Sequence, residues 1–126
     1  HSIIEHLMKN YVTPPIDLRA IEEILGDADV IAITEHIAMF ISEFEALLQD
    51  LKAAMEQNNR QIIRDAAHAA KSASVYVGAT GLSDLLRNIE KQAPETDFSL
   101  LKGSLPVIDE EFESIRVFYS AYANNV

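Results

Sequence analysis

The hydrophobic residues of the chain recur mostly at intervals of three and four, the spacing that places side chains on one face of an α-helix. The longest such segment runs from Asp29 to Met55. Its apolar face comprises Val30, Ile33, Ile37, Phe40, Ile41, Phe44, Leu47, Leu48, Leu51 and Met55. Polar residues at 57–59 interrupt the pattern, and a second periodic segment covers residues 60–77 before Gly78. The sequence therefore predicts two long, consecutive helices.

Two further helices are predicted in the second half of the chain. Leu82, Leu85, Leu86 and Ile89 share one face of a third helix, and a polar, proline-bearing loop follows at residues 93–97. The fourth pattern consists of Leu101, Leu105, Ile108, Phe112, Ile115, Tyr119 and Tyr122. Pro106 lies within it and either kinks this helix or marks its start near Ser104, and the sequence leaves both readings open.

Short helices are predicted before the first long one. Ser2 and Glu5 have capping-box spacing, and Asp17 opens a short helix that ends at Gly26. Two prolines separate the pieces, and no segment shows the alternation of a strand. We therefore predict an all-α, up-down-up-down antiparallel four-helix bundle with short N-terminal helices packed against it. Residues 1–16 are assigned to an N-terminal helix and linker, and residues 17–126 to the bundle domain.

Composition and charge narrow the functional classes. The 126 residues suffice for one hydrophobic core, and no apolar run approaches the length of a membrane span. A net charge of −10 would repel a phosphate backbone, so nucleic acid is not expected as a partner. Without cysteine, the chain has neither a thiol nucleophile nor a thiolate metal site.

The second helix carries the candidate chemistry. At about 100° per residue, one sector collects Ile62, Ile63, Ala66, Ala67, Ala70, Ala73, Ser74 and Val77, and this sector is expected to face the core. His68 falls roughly 170° from the centre of that sector by the same rotation, so it is predicted to face solvent. Its neighbours on the outer face are Gln61, Arg64, Asp65, Lys71, Ser72 and Val75.

An exposed histidine has several interpretations, of which an ordinary surface residue is the commonest. A metal site is weakly supported, because Asp65 is the one other ligand on this face and protein sites normally recruit three or four. A neutral imidazole is also a good nucleophile at about pH 7.

The string HAAKSASVYVGA at residues 68–79, followed by Leu82 and Glu90, resembles the signature of histidine phosphotransfer domains. The shared features are counted in residues after the histidine. They are a lysine three residues later, a small residue after four, Gly-Ala after ten and eleven, a leucine after fourteen and a glutamate after about twenty-two. Together with the helix pattern, the resemblance spans roughly residues 17–122.

The resemblance implies roles for individual residues. His68 would accept a phosphoryl group, and Lys71, one turn away, would offset charge on the phosphoryl oxygens. Ser72 is small and leaves room for a partner, while Val75 is an apolar contact for it. Gly78 is expected to adopt a left-handed conformation that reverses the chain. A partner would dock over Gln61, Arg64, Asp65, Ser72 and Val75.

The resemblance also implies a cellular role. The chain would be a phosphocarrier that takes a phosphoryl group from a receiver-domain aspartate and passes it to a response regulator, without an ATP site or cofactor of its own. Mg²⁺ would come from the receiver. We expect a monomeric, cytoplasmic domain, either free-standing or the C-terminal module of a bacterial hybrid sensor kinase that is itself membrane-anchored. The alternative is a helical interaction module that signals by docking alone.

Overall fold

The computed structural model describes residues 14–26 and 29–124 of the chain. Six helices follow one another in this part: α1 (Leu18–Leu25), α2 (Val30–Glu56), α3 (Arg60–Tyr76), α4 (Thr80–Gln92), α5 (Phe98–Lys102) and α6 (Leu105–Ala123). Four of them, α2, α3, α4 and α6, form the predicted bundle, and α1 packs against α2 and α3. The all-helical bundle is therefore confirmed.

Side-chain caps fix where most of these helices begin. Asp17, Asp29 and Asn59 each accept a hydrogen bond from a backbone N–H in the first turn of the helix that follows, at 2.9, 2.9 and 3.1 Å. Such caps satisfy N–H groups that have no partner within the helix. The start of α3, the helix that carries His68, is thereby set at Arg60.

The core is continuous along the bundle. Phe44 is fully buried in it, with its ring centroid 5.4 Å from that of Phe40 and 4.7 Å from that of Phe112. Helix α3 contributes mostly small side chains, including Ala67, Ala70 and Ser74, all fully buried. Because these side chains are small, α3 can pack closely against its neighbours.

The turn between α3 and α4 is closed by Gly78. Its φ of +63° confirms the predicted left-handed conformation. A Cβ at this position would lie 2.6 Å from the Cβ of Asp17, so glycine is required by contact as well as by backbone angle. The Asp17 N–H donates to the carbonyls of Val77 and Gly78 at 3.2 and 3.1 Å, which ties the start of α1 to the end of α3.

The structure decides several details that the sequence left open or placed differently. Helix α6 starts after Ser104 with Pro106 in its first turn, so the proline marks a start and does not kink the helix. Ile62 was expected in the core, but 42% of its surface is exposed because the buried sector of α3 is narrower than predicted. Pro15 and Ile16, assigned to the linker, are buried against the bundle. The predicted helix at Ser2 lies outside the described residues.

No helix in the described ranges is both long and apolar enough to span a bilayer.

Candidate functional site

His68 lies midway along α3, on the face opposite the core. Its side chain is 60% exposed, as the helical phase predicts. The residues that hold it there are Ala67 and Ala70, both buried on the inner side of the helix. The imidazole therefore projects into solvent from a rigid helix, where a second molecule can reach it.

Glu90 of α4 bridges two side chains of α3, those of His68 and Lys71. Its Oε2 atom lies 2.8 Å from His68 Nδ1, and its Oε1 atom accepts a hydrogen bond of 2.6 Å from Lys71 Nζ. Both contacts cross from α3 to α4, and the Glu90 side chain is only 19% exposed. The imidazole orientation is thus fixed by a residue of the neighbouring helix.

The protonation state of Glu90 follows from these contacts. The hydrogen bond from the Lys71 ammonium holds the pKa of the Glu90 carboxyl below its usual value, against an opposing effect of partial burial. The hydrogen bond with His68 lowers this pKa further. Glu90 is therefore a carboxylate at neutral pH, and a carboxylate accepts hydrogen bonds only.

The carboxylate determines which ring nitrogen of His68 carries the proton. Because Glu90 can only accept, Nδ1 of the neutral imidazole is protonated and donates to it. The lone pair is then on Nε2, the nitrogen farther from Glu90. The arrangement leaves one nucleophilic nitrogen on an exposed ring and gives it a fixed direction.

Lys71 is less exposed than the helical phase suggests. Its side chain is 21% exposed and its ammonium is bound to Glu90, so part of its charge is already offset. The remaining N–H groups of the ammonium are available for an anion beside His68. Lys71 thus lies where the resemblance requires a cation, and it also positions the carboxylate that orients the imidazole.

The other predicted residues share the exposed face of α3. Gln61, Arg64, Asp65, Ser72 and Val75 are all exposed. The amide of Gln61 donates to Asp65 at 2.9 Å, and the Ser72 hydroxyl donates to the backbone carbonyl of His68 at 3.0 Å. Ser72 is thereby folded back onto its own helix and leaves the space above the imidazole open. Gly78 closes the helix at a distance from this face and serves the turn alone.

The metal interpretation rested on Asp65 as the one carboxylate near His68. The structure adds a second, since Arg64, Asp65, His68 and Glu90 line one shallow pocket. Within residues 14–26 and 29–124, however, no group of three or more histidine, cysteine, aspartate or glutamate residues is arranged to hold a metal ion.

Glu90 was part of the sequence signature, but sequence reasoning gave it no role. Helical phase orders residues within one helix and does not say which residue of α4 faces His68. The signal that could have found it is chemical: an imidazole and an ammonium on one face favour a carboxylate nearby.

Two comparisons with known proteins give matches. The family model described as Hpt domain matches residues 35–118. Among solved structures, the chain resembles histidine-containing phosphotransfer protein B (HptB) from Pseudomonas aeruginosa PAO1, with a TM-score of 0.77 and 21% identity over 90% of this chain and 98% of that one. At this identity the likeness concerns the fold. The search of curated proteins gives no match.

Proposed function

Because the chain belongs to the Hpt domain family, its role is histidine phosphotransfer in a two-component phosphorelay, and we propose that His68 carries the phosphoryl group. The observation that supports this most directly is the hydrogen bond between His68 Nδ1 and Glu90, on a ring that is otherwise exposed. It leaves Nε2 unprotonated and open to a partner.

In the proposed forward step, the Nε2 lone pair attacks the phosphorus of a receiver aspartyl phosphate in line. An N–P bond forms, the acyl P–O bond breaks, and the aspartate leaves as a carboxylate. The ring becomes a phosphorylated imidazolium, whose positive charge is stabilised by the Glu90 carboxylate through Nδ1–H. The reverse step loads a second receiver and returns the imidazole to its neutral form.

Lys71 and Glu90 have distinct roles in this proposal. Lys71 stabilises negative charge on the phosphoryl oxygens as the loose transition state develops. Glu90 acts through the histidine, so it is a positioning residue that fixes the tautomer and the ring orientation. Since the two side chains are hydrogen-bonded, a change in one alters the other.

The receiver would dock over the exposed face of α3 formed by Gln61, Arg64, Asp65, Ser72 and Val75. The small Ser72 keeps the approach to Nε2 open, and Val75 offers an exposed apolar surface on the same side. Mg²⁺ held by the receiver would supply further charge neutralisation. Because the partner brings the phosphoryl group, the chain acts as a carrier that has no kinase activity of its own.

The test is transfer from a phosphorylated receiver, followed by intact-mass measurement at neutral or alkaline pH, where phosphoramidates survive. Wild-type protein should gain one phosphoryl group, and His68→Gln none. His36→Gln is the matched control, because it removes another described histidine and should be loaded like wild type. Phosphoryl uptake by His68→Gln would overturn the proposal. Receiver binding with no uptake by wild-type protein would favour an interaction module instead.

A further inference from the structure

A groove of about 600 Å³ runs along the junction of α3 and α4 beside His68. It is lined by Arg64 and Lys71 of α3, by Arg87, Glu90 and Lys91 of α4, and by Pro94. Four of the ten basic residues of the chain thus line one surface feature, although the chain as a whole carries twenty acidic residues. None of the α4 residues belongs to the docking face predicted from the sequence.

The groove keeps a positive charge after its internal ion pairs are counted. Lys71 is paired with Glu90 at 2.6 Å, and Arg87 with the exposed Asp84 at 2.9 Å. Arg64 and Lys91 make no side-chain hydrogen bond or ion pair with any described residue. The guanidinium of Arg64 and the ammonium of Lys91 flank the groove and remain available to a partner.

The groove is continuous with the site of His68. Arg64 lines both the groove and the shallow pocket that contains His68 and Glu90. A molecule that reaches the imidazole from the α4 side therefore contacts Arg64 and comes within reach of Lys91. The occupant of the groove and the phosphoryl donor would be one and the same partner.

We propose that this cationic groove is a second docking determinant, in which Lys91 and Arg87 of α4, the latter held only by an exposed ion pair with Asp84, bind carboxylates at the rim of the phosphorylation site of the receiver domain. The inference rests on the proposed function and extends it to partner selection. An anionic partner is repelled by most of a surface with net charge −10. The groove is where this repulsion is reversed, so it selects acidic receivers and orients them with their aspartate over His68.

The test measures binding of an unphosphorylated receiver, chosen as the one that loads wild-type protein fastest in a panel of purified receiver domains. The variant Arg87→Glu/Lys91→Glu reverses two groove charges. Arg19→Glu/Lys102→Glu makes the same change in net charge at basic residues outside the groove and is the matched control. Because no phosphoryl group is present, the measurement reports docking alone.

We expect the groove variant to raise Kd about tenfold or more, mainly through slower association, and the control to raise it less than about threefold. Raising the salt from about 50 to about 300 mM should weaken wild-type binding more than binding of the groove variant. Equal Kd values for the two double variants would overturn the proposal that the groove binds the receiver. Equal salt dependence for wild-type protein and the groove variant would overturn it as well. Failure of every receiver to load wild-type protein would overturn the proposed function and this inference together.

Discussion

At the residue scale, the proposed chemistry rests on the chain of hydrogen bonds that joins Lys71, Glu90 and His68. The carboxylate of Glu90 is hydrogen-bonded to the Lys71 ammonium at 2.6 Å and to His68 Nδ1 at 2.8 Å. A change at Glu90 is therefore expected to act through both neighbours. Mutational effects of residues that act through one another are not additive, and this property distinguishes a coupled site from three independent side chains.

A double-mutant cycle tests the coupling. Glu90→Gln keeps the size of the side chain but removes the charge that stabilises the phosphorylated imidazolium, and Lys71→Met removes the ammonium. Each should slow transfer about tenfold or more, equivalent to about 1.4 kcal/mol in the barrier. The double variant should be slowed by less than the product of the two, as measured by rapid-quench transfer assays.

The control for this cycle is Glu113→Gln, an exposed charge change on α6 that should leave the rate unaltered. Independent effects of Lys71 and Glu90, which multiply in the double variant, would contradict the shared role.

The lowered pKa of the Glu90 carboxyl also predicts a pH dependence of stability. A carboxyl whose pKa is lower in the folded state stabilises the fold above its unfolded value of 4.5, and the contribution is lost as pH falls through the folded pKa. The free energies of unfolding of wild-type protein and Glu90→Gln should therefore differ at pH 7 and converge in acid. Urea unfolding across this pH range measures both, and a difference that grows in acid would contradict the assignment.

The sequence predicts that His68 and Lys71 share the outer face of α3 because both lie on one helix, where spacing determines direction. Sequence reasoning gave Glu90 no role and treated Lys71 as a side chain on the solvent side. Both points depend on how α3 and α4 are aligned. This alignment comes from packing between the two helices, and the hydrophobic period of either helix alone does not determine it.

At the scale of elements, α3 is organised as a buried inner face and an open outer face. Ser72→Leu tests the outer face, because a leucine one turn beyond His68 would occupy the approach to the imidazole. We expect transfer to fall by about a hundredfold, since small misplacements of reacting groups cost about that much. The free energy of unfolding should change by about 0.5 kcal/mol or less.

Ser42→Leu, an exposed serine on α2, is the matched control and should transfer like wild type. Normal transfer by Ser72→Leu would show that the receiver approaches from another direction.

The end of α3 depends on Gly78. Gly78→Ala places a Cβ at a φ of +63° and 2.6 Å from the Cβ of Asp17, so the start of α1 must move. We expect a loss of about 2 kcal/mol or more in the free energy of unfolding, from the backbone conformation and the contact together. Gly103→Ala is the comparison, because Gly103 has a helical φ of −62° and should change stability less. Equal losses, measured by thermal or urea unfolding, would contradict this explanation.

Element boundaries were predicted well where a cap or breaker marks them, as at Asp29, Asn59 and Gly78. Pro106 was ambiguous because proline is tolerated in the first turn of a helix and breaks a helix interior, and only the fold shows which turn it occupies. Ile62 was misplaced because the predicted sector was too wide. The small side chains of Ala67 and Ala70 bring α3 close to its neighbours along a narrower strip.

At the scale of the whole molecule, the bundle separates its functions. The core and the caps position α3, α4 supplies Glu90 and two of the four cations of the groove, and the acidic remainder of the surface would repel anionic partners elsewhere. The fold class followed from the sequence because four periodic segments joined by short loops have few ways to pack. The groove could not be predicted from the sequence, since it exists only where two helices meet.

Mapping the phosphoryl group on the loaded chain tests whether Nε2 of His68 is the phosphoacceptor. Peptide mass mapping at alkaline pH locates the modified residue, and ³¹P NMR distinguishes Nδ1-phosphohistidine from Nε2-phosphohistidine. We expect one phosphoryl group per chain, on His68, with the Nε2 resonance. A phosphoryl group on another residue, or on Nδ1 of His68, would contradict it.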